Sequence, residues 1–583
     1  MKRRTMAAFI GGGLDSGCDP APRRWRQGHL ADRYDPRPVG WEGKPVIGLR
    51  RSFRCALAVL PAALLVFAAS AVADPAVIFN DISASAGIEL TGVLTESVCW
   101  GDYDNDGDPD LYLTNQNAAN NLFRNDRGGS FTDVTTEAGV GNALWGVGCA
   151  FGDLDNDGDL DLYVVNFSLG PTGPDVLYRN DGPVGPGGAY EFTDVTVSAQ
   201  IAVERSSRGM AFIDYDRDGL LDIYVNAIGD DILYRNLGNL QFQDVAAAVG
   251  VVNNGGQGVG VTPTDVDNNG WVDLFTGNRS NDINRLYMNN NGVFTDVAAG
   301  AGITKVGLGM GVLSLDYDND LDFDLYWTTW PSQVNALYDN QSGDATSFAD
   351  VAVASGTDDP AGWGISCNPG DVDNDGWEDF FVTNGFDATT TANVLFRNEQ
   401  NGTFSDVTAA LGGGLFDGRG VAFADFDLDG DLDLCVTADS GEPNKLWENV
   451  TNNGNHWVTF DLTGTSSNRT AFGARIEVTT DLATVVKEVS GGAGRGSFND
   501  PPVEFGLGNA TTIQQVRIRW PNGLQTTHSN LAMDQIHTIT EPAQAVPATS
   551  AWGLACLALS LLAIATLLMR QRRAERSHRW NVV

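Results

Sequence analysis

Carboxylate side chains recur at alternate positions of one short loop, seven times between Asp102 and Asp433. Most copies follow the form Asp-x-Asp-x-Asp/Asn-Gly-x-x-Asp. Ca²⁺ takes six to eight oxygen ligands, and positions 1, 3 and 5 of a tight turn direct three side chains at one centre, which a position-7 carbonyl and a position-9 carboxylate complete. The spacing predicts one calcium site per loop. The predicted ligands, loop by loop, are Asp102, Asp104, Asp106 and Asp110; Asp153, Asp155, Asp157 and Asp161; Asp214, Asp216, Asp218 and Asp222; Asp265, Asp267, Asn269 and Asp273; Asp316, Asp318, Asp320 and Asp324; Asp371, Asp373, Asp375 and Asp379; Asp425, Asp427, Asp429 and Asp433.

Two loops depart from the pattern. Loop four has Asn269 at position 5, which keeps an oxygen and loses one charge. Loop five has Leu321 where the turn favours glycine, and a left-handed residue with a Cβ costs roughly 1 to 2 kcal/mol. We expect up to seven bound Ca²⁺ ions, with the site of loop five weak or empty.

The residues after each loop distinguish these sites from EF-hands. An EF-hand closes with a glutamate at position 12 and lies between two helices. Position 12 is Leu113 in the first loop and Val164 in the second, and the residues that follow alternate between apolar and polar types. Each loop is therefore predicted to lie in a β-hairpin.

Two further short sequence motifs, which we call words, recur with the loops. A Phe-x-Asp-Val/Ile word precedes each loop, and a Leu-aromatic-x-Asn word follows it. Several short strands repeating at this period are typical of propeller blades. We predict an all-β fold with a seven-bladed β-propeller over residues 79–449, in which the aromatic residues form blade cores and the asparagines lie in turns. The two words begin at Phe79, Phe131, Phe192, Phe242, Phe294, Phe348 and Phe404, and at Leu122, Leu177, Leu233, Leu286, Leu337, Leu395 and Leu446.

Charge excludes one class of partner. The 583 residues carry a formal charge of −39, and almost half of the basic residues lie near the ends. Residues 1–73 and 570–583 hold 17 of the 36 Lys/Arg and six of the 75 Asp/Glu, so the intervening chain carries −50. No nucleic acid is expected as a partner, and self-repulsion makes folding depend on bound calcium.

The repeats resemble a known family. Loops embedded in strands such as residues 146–153 are similar to FG-GAP or VCBS repeats, and their hairpin calcium loops resemble those of integrin α-subunit propellers. The resemblance implies that Ca²⁺ stiffens the blades on one face, while recognition uses the opposite face or a neighbouring domain.

A second, small β domain is predicted over residues 456–541, where the acidic loops stop. Its words, including residues 464–469, 505–508 and 519–523, resemble the ASPIC/UnbV domain. Propeller repeats followed by this domain are similar to the cartilage acidic protein 1 family, which implies an extracellular, calcium-binding, adhesive protein. The arginines of this domain indicate either docking on the acidic propeller or binding of an anionic ligand: they are Arg469, Arg475, Arg495, Arg517 and Arg519.

The two ends predict export. Residues 50–73 read as a Sec-type signal peptide that ends before Asp74, and residues 1–49 as an over-extended start. Residues 542–553 form a linker whose motif resembles an IPTL-CTERM sorting signal, residues 554–569 a membrane segment, and residues 570–583 a basic cytoplasmic tail. The segment is either cut by an exosortase-type enzyme or kept as an anchor.

The remaining residues favour binding over catalysis. Cys99 and Cys149 precede loops one and two, which leaves adjacent-blade pairing of these two and buried free thiols both open. The disulfide state of Cys367 and Cys435 is open as well. The propeller contains no histidine and no Gly-x-Ser-x-Gly elbow. We predict no catalytic residues, and a secreted or cell-surface module that is exported by the Sec machinery and binds a glycan, matrix polymer or protein. A structural matrix component is the alternative, and a carbohydrate-active enzyme is less favoured.

Overall fold

The computed structural model describes residues 77–543, apart from 168–172, 185–187, 203–205, 254, 280–281, 331–332, 386–391, 413–415 and 440. These residues belong to one compact unit. The predicted N-terminal extension, signal peptide, membrane segment and basic tail lie outside them, as does most of the predicted sorting motif. Within the described residues, no helix has the length and apolar character needed to cross a membrane.

Twenty-eight short strands form the first and larger part of the described chain. In chain order they are β1 (Phe79–Asp81), β2 (Thr95–Gly101), β3 (Asp110–Asn115), β4 (Asn121–Asn125), β5 (Phe131–Asp133), β6 (Gly146–Gly152), β7 (Asp161–Asn166), β8 (Val176–Val184), β9 (Ala189–Asp194), β10 (Ser207–Ile213), β11 (Asp222–Ala227), β12 (Ile232–Asn236), β13 (Phe242–Asp244), β14 (Gly258–Thr264), β15 (Asp273–Asn278), β16 (Arg285–Asn290), β17 (Val293–Asp296), β18 (Gly309–Leu315), β19 (Asp324–Thr329), β20 (Ala336–Asn340), β21 (Phe348–Asp350), β22 (Gly364–Pro369), β23 (Phe380–Asn384), β24 (Val394–Asn398), β25 (Phe404–Asp406), β26 (Gly418–Ala424), β27 (Asp433–Ala438) and β28 (Lys445–Asn449).

These strands pair into seven four-stranded antiparallel sheets, counted over the described residues. We name the sheets blades 1 to 6 (β2–β5, β6–β9, β10–β13, β14–β17, β18–β21 and β22–β25) and blade 7 (β26, β27, β28 and β1). The first strand of each blade contacts the first strand of the next, and β26 contacts β2, so the blades close a ring with these strands innermost. The predicted all-β propeller is confirmed.

The N-terminal strand completes the last blade. Phe79 of β1 pairs with Asn449 of β28 in antiparallel register, so the two ends of the propeller segment join within blade 7. Each Phe-x-Asp word is accordingly the outermost strand of a blade, and the aspartate caps the short turn that follows. In blade 1, Oδ1 of Asp133 accepts a hydrogen bond from the Thr135 N–H at 3.0 Å. The helical turns are α1 (Ser83–Ala86), α2 (Thr135–Ala138), α3 (Ala246–Val249), α4 (Ala352–Ser355) and a 3₁₀ turn at Thr408–Leu411.

Blade cores lie between neighbouring sheets. The predicted core aromatics of the Phe-x-Asp words are buried, as are the tyrosines, phenylalanines and tryptophan of the Leu-aromatic-x-Asn words. The innermost strands pack so closely that a Cβ on Gly209 would lie 2.1 Å from the carbonyl oxygen of Val259 in the next blade. This crowding explains the Gly-x-Gly pattern of these strands.

The C-terminal domain consists of two sheets. A three-stranded sheet has the order β32-β29-β35, with β29 parallel to β35, and a four-stranded sheet has the order β31-β30-β33-β34. The strands are β29 (His456–Thr463), β30 (Arg475–Thr480), β31 (Thr484–Glu488), β32 (Val503–Gly508), β33 (Ile513–Arg519), β34 (Gln525–His528) and β35 (Ile536–Thr540).

A segment of this domain enters the centre of the propeller. Residues 490–500, which we name the plug, connect β31 to β32 and hydrogen-bond to the innermost strands of six blades. The bonded pairs are Phe498 N to Val98 O (3.0 Å), Cys149 N to Gly496 O (3.1 Å), Phe212 N to Gly491 O (2.9 Å), Gly494 N to Val312 O (2.6 Å), Arg495 N to Ser366 Oγ (3.2 Å) and Asp500 N to Phe423 O (3.2 Å). The plug therefore lies within the channel that these strands surround.

One disulfide joins two blades. Cys99 of β2 bonds to Cys149 of β6, with Cα atoms 5.9 Å apart, so the adjacent-blade alternative is the one realised for this pair. Cys367 and Cys435 are buried free thiols.

Candidate metal centres

Every acidic loop connects the innermost strand of a blade to its second strand. Loop one, for example, lies between β2, which ends at Gly101, and β3, which begins at Asp110. All seven loops occur at the same end of their innermost strands, so they form a circle at one end of the ring. We name this the acidic end and the opposite one the open end. The predicted hairpin position of the loops is confirmed.

The position-1 carboxylate organises the turn. In loop one, Oδ1 of Asp102 accepts the Asp106 N–H at 3.0 Å and Oδ2 accepts the Gly107 N–H at 2.9 Å. Position 4 is left-handed in every loop, with φ of 55° at Asn105 and 62° at Leu428. These contacts curl the backbone so that alternate side chains face the same side.

The position-9 aspartate is buried in every loop. Oδ1 of Asp110 accepts the Asn125 N–H at 2.8 Å, and Oδ2 accepts the Tyr103 N–H at 3.2 Å. Burial, together with the charges of Asp104 and Asp102, raises the pKa of Asp110 to about 9. The pKa values of its six counterparts are raised well above their usual range, again chiefly by burial: Asp161, Asp222, Asp273, Asp324, Asp379 and Asp433.

Carboxylate oxygens converge in the loops. In loops one, two and four, oxygens of positions 1, 3 and 9 lie within 4.8 Å of one another, and in loops three and five those of positions 1, 3 and 5 do so. In loops six and seven, the charges at the other acidic positions contribute to the raised pKa values of Asp379 and Asp433. The position-5 carboxylates also accept the N–H of position 7, as in Asp106, Asp157, Asp218 and Asp320.

Among the described residues, several carboxylate oxygens of the loops lack protein donors. Oδ1 is buried without a hydrogen-bond partner at position 3 of loops one, two, three and seven and at position 1 of loop four, in Asp104, Asp155, Asp216, Asp427 and Asp265. A buried carboxylate oxygen without a donor is costly, and a hard cation satisfies it while removing the repulsion between neighbouring carboxylates. The donor set fits Ca²⁺.

Loop five keeps this geometry despite Leu321. The backbone there is left-handed, with φ of 76°, as the sequence requires of a residue in the glycine position. The N–H groups of Asp320 and Leu321 still donate to the Asp316 carboxylate, at 3.1 and 3.0 Å. The cost of Leu321 therefore lies in its backbone conformation and leaves the ligand positions in place.

Loop four differs from the other loops in its contacts as well as in having Asn269 at position 5. The Asn269 N–H donates to Oδ1 of Asp267 at 3.1 Å, whereas position 5 elsewhere donates to position 1. Arg519 of the C-terminal domain forms a salt bridge with Asp265, and its Nη1 donates to Oδ1 of Asn268 at 2.7 Å. A protein cation thus already shares the position-1 carboxylate of this loop.

Asparagines that the sequence pattern assigned to turns also connect the blades. Nδ2 of Asn125, at the end of a Leu-aromatic-x-Asn word, donates to the carbonyl of Phe426, at position 2 of the preceding blade's loop. The same bond recurs around the whole ring, at 2.8 to 3.1 Å, from Asn180, Asn236, Asn289, Asn340, Asn398 and Asn449. The recurrence of this asparagine in every unit, 14 to 19 residues after position 9, was the available signal.

A second set of contacts connects successive loops. Position-4 side chains donate to the position-6 carbonyl of the next loop, as from Nδ2 of Asn156 to Gly219 O at 2.9 Å. Asn105, Arg217, Asn319 and Asn374 make the equivalent contact. These contacts connect loops one to four in succession and loops five to seven in succession.

The C-terminal domain docks on this acidic end. Nε of Arg469 lies 3.5 Å from Oδ2 of Asp153, Arg475 donates to the carbonyl of Leu321, and Arg519 pairs with Asp265. Of the two interpretations of the domain's arginines, these contacts support docking. Arg517 instead pairs with Glu477 of its own domain.

A cavity of about 420 Å³ remains between the docked domain and the loops. Asp500 and Glu504 line it, and both oxygens of Glu504 are buried without a hydrogen-bond partner. Burial and the nearby Asp425 raise the pKa of Glu504 well above its usual range. The acidic environment thus extends beyond the loops into the interface.

Comparisons with known families agree with this organisation. The family described as FG-GAP-like repeat matches residues 102–164, 214–276, 265–327 and 371–436, and the family described as ASPIC and UnbV matches residues 464–546. Both resemblances predicted from the sequence are confirmed, and FG-GAP repeats commonly bind Ca²⁺.

Curated relatives align with about three quarters of the chain. Cartilage acidic protein 1 of Mus musculus is 26% identical over 462 residues, which cover 76% of this chain and 63% of that protein. The Homo sapiens protein is 26% identical over 493 residues, covering 77% and 72%. The chain is thus homologous to cartilage acidic protein 1 and aligns with less than two thirds of the mouse protein's length.

Solved structures with a similar fold are more distant. A lectin of Agrocybe aegerita that recognises non-reducing terminal N-acetylglucosamine has 16% identity and a TM-score of 0.34, covering 65% of this chain and 94% of its own. Rhamnogalacturonan lyase of Bacillus licheniformis has 11% identity and a TM-score of 0.36, covering 63% and 75%.

Proposed function

We propose that this chain is an exported calcium-binding β-propeller that recognises a glycan, a matrix polymer or a protein outside the cell. Calcium has a structural role in this proposal. The observation that carries it is the ring of buried, unpartnered carboxylate oxygens in the acidic loops. Ca²⁺ would be held by the aspartates predicted from the sequence and would supply the positive charge that the loops lack.

Two features support a calcium-dependent scaffold. The loops hydrogen-bond to one another and to the neighbouring blades through Asn180 and its counterparts, so an ion in one loop stabilises contacts between blades. The C-terminal domain also docks on the same loops. The predicted ligands thus lie where the ring and the second domain depend on their geometry.

Other features support an extracellular setting. The Cys99–Cys149 disulfide is typical of oxidising compartments outside the cytosol. The predicted signal peptide and sorting tail support export by the Sec machinery and processing by an exosortase-type enzyme. Binding without catalysis is supported by a propeller segment that contains no histidine.

Calcium dependence is tested by thermal unfolding of the full chain with saturating Ca²⁺ or with chelator. Chelation is expected to lower Tm by about 10 °C or more, because ions that bind only the folded state stabilise it. Native mass spectrometry then counts the ions, with six expected to bind readily and the loop-five ion last. An unchanged Tm in chelator would contradict the structural role.

Recognition is tested by array and pull-down screening against glycans, matrix polymers and proteins, with and without chelator. Saturable, calcium-dependent binding to one class of ligand supports the proposal. Calcium-driven self-association with no ligand would instead identify a structural matrix component. Turnover of a bound saccharide, abolished by one carboxylate outside the loops, would identify an enzyme.

A further inference from the structure

The open end of the ring carries a cluster of cations in a strongly acidic protein. Arg208 lies near the start of β10, Arg279 directly follows β15, and Arg495 reaches this end from the plug. These positions are where innermost strands begin or second strands end, opposite the acidic loops. The three arginines therefore come from blade 3, blade 4 and the C-terminal domain.

Most of the charged groups around this cluster are paired. Nη1 of Arg495 donates to Oε2 of Glu96 at 2.8 Å, and Nε1 of Trp145 donates to Oε1 of the same carboxylate at 3.1 Å. Arg419 forms salt bridges with Asp417 and Asp439. These carboxylates of the open end are thus committed to Arg495 and Arg419.

Arg208 and Arg279 lack such a partner among the described residues. Arg208 is 8% exposed, and its Nε is buried without a hydrogen-bond acceptor. Its guanidinium lies over the Phe167 ring, 4.6 Å from the centroid, and that of Arg279 lies over the Trp330 ring at 4.2 Å. Stacking holds the guanidinium planes in place, and no described residue supplies an acceptor to their N–H edges.

The two arginines are close enough to repel each other and Arg495. Burial lowers the pKa of Arg208 to about 9; the charges of Arg495 and Arg279 act in the same direction, and the charge of Glu96 acts against them. Burial and Arg495 also lower the pKa of Arg279. Clustered arginines repel one another, which costs free energy in the folded state. Such a cluster is unusual in a chain segment that carries −50, where acidic partners are abundant.

Half-buried aromatic rings flank the pair on both sides. Trp145 packs edge-on against Phe167 with centroids 4.9 Å apart, and Trp330 packs against Trp363 at 5.7 Å. The order around the ring is an aromatic pair, Arg208, Arg279 and a second aromatic pair. The open end therefore combines flat apolar surfaces with guanidinium groups that are held in fixed orientations.

We propose that Arg208 and Arg279 bind the carboxylate of an acidic saccharide across the open end, with the flanking aromatic pairs contacting its sugar rings. The guanidinium fork matches a carboxylate in a bidentate geometry, and partly exposed aromatic rings offer an apolar platform for the C–H face of a sugar. The inference rests on the proposed recognition function and assigns it a site and a ligand class.

The test uses the full chain with saturating Ca²⁺ and three probes: a β-1,4-linked glucuronate hexasaccharide, cellohexaose as its neutral counterpart, and hexaglutamate. Calorimetry compares wild type, Arg208→Gln/Arg279→Gln, and Arg124→Gln/Arg179→Gln, which removes two arginines from the third strands of blades 1 and 2 that pair with Asp126 and Asp181. The hexasaccharide is expected to bind at least about tenfold more tightly than cellohexaose. The open-end variant should lose about tenfold or more, and the control variant less than about twofold.

Several outcomes would overturn the assignment. They are equal binding of the charged and neutral hexasaccharides, unchanged binding by the open-end variant, or tighter arginine-dependent binding of hexaglutamate, which would identify a peptide site. Thermal unfolding checks that both variants fold. If array ligands bind the open-end variant as well as wild type, the site is wrong while the recognition function stands; if nothing binds wild type in either assay, the recognition function itself fails.

Discussion

Nδ2 of Asn180 in blade 2 donates a 2.9 Å hydrogen bond to the carbonyl of Tyr103 in loop one of blade 1. It also donates to the carbonyl of Leu160 at 3.2 Å, and its Oδ1 accepts the Gly182 N–H at 3.0 Å. One buried amide therefore satisfies three backbone groups from two blades. Because its own N–H donates to Asp161, the metal loop and the blade interface share one residue.

Asn180→Ala is expected to reduce the free energy of unfolding by about 2 to 4 kcal/mol, because it leaves buried carbonyls without donors. Chemical denaturation with saturating calcium measures the loss. Asn80→Ala is the matched control, since Asn80 is exposed on an outer strand, and should change stability by less than about 0.5 kcal/mol. Equal effects of the two variants would contradict the role of Asn180 as an interblade contact.

Leu321→Gly is expected to stabilise the protein by about 1 kcal/mol, because glycine adopts the left-handed φ of 76° without the Cβ penalty. The reciprocal change, Gly107→Leu, should destabilise by a similar amount. Gly107 has φ of 94°, and a Cβ added there would meet no atom within 4 Å, so backbone conformation alone accounts for the effect. Denaturation in calcium measures both changes, and loop five should bind its ion more tightly in Leu321→Gly. A loss of stability in that variant would show that Leu321 packs favourably.

Gly491→Ala should displace the plug, because a Cβ there would lie 2.0 Å from the Phe212 carbonyl oxygen. We expect a loss of about 2 to 4 kcal/mol in stability. Limited proteolysis should then cut within residues 490–500. Gly441→Ala, at an exposed position with no atom within 4 Å, is the control and should behave as wild type. Unaltered protease resistance in Gly491→Ala would show that the channel tolerates the extra atom.

Asp175→Asn tests a buried acid away from the loops. Burial raises the pKa of Asp175 to about 6 from 3.8, although the Asn166 N–H and the Ser207 and Tyr163 hydroxyls donate to it. The folded state thus holds a proton that the unfolded chain releases, so the stability of wild type falls as pH rises from about 4 to about 6. The variant lacks this titration, and its stability relative to wild type should increase by up to about 3 kcal/mol over that range. Denaturation curves from about pH 4 to pH 7.5 measure it; a constant difference would contradict the raised pKa.

The local chemistry of the loops was predictable from sequence alone. Alternate aspartates with a glycine at position 6 specify a turn through contacts spanning at most five residues, such as Asp102 with Gly107. The recurrence of three words specified repeated four-stranded units, because each unit is built from contacts between strands that are close in sequence. The N-terminal strand's place in blade 7 required ring closure, since Phe79 pairs with Asn449 at the far end of the repeat array.

Contacts between distant segments were decided only by the tertiary structure. Arg519 meets Asp265 across 254 residues, and no local pattern distinguishes an arginine that docks on a loop from one that binds a ligand. Arg208 and Arg279 likewise come together with Arg495 only because blades 3 and 4 adjoin and the plug fills the channel. Spacing along the chain determines turns and strands, whereas the packing of blades and domains determines which charges are paired and which remain without a partner.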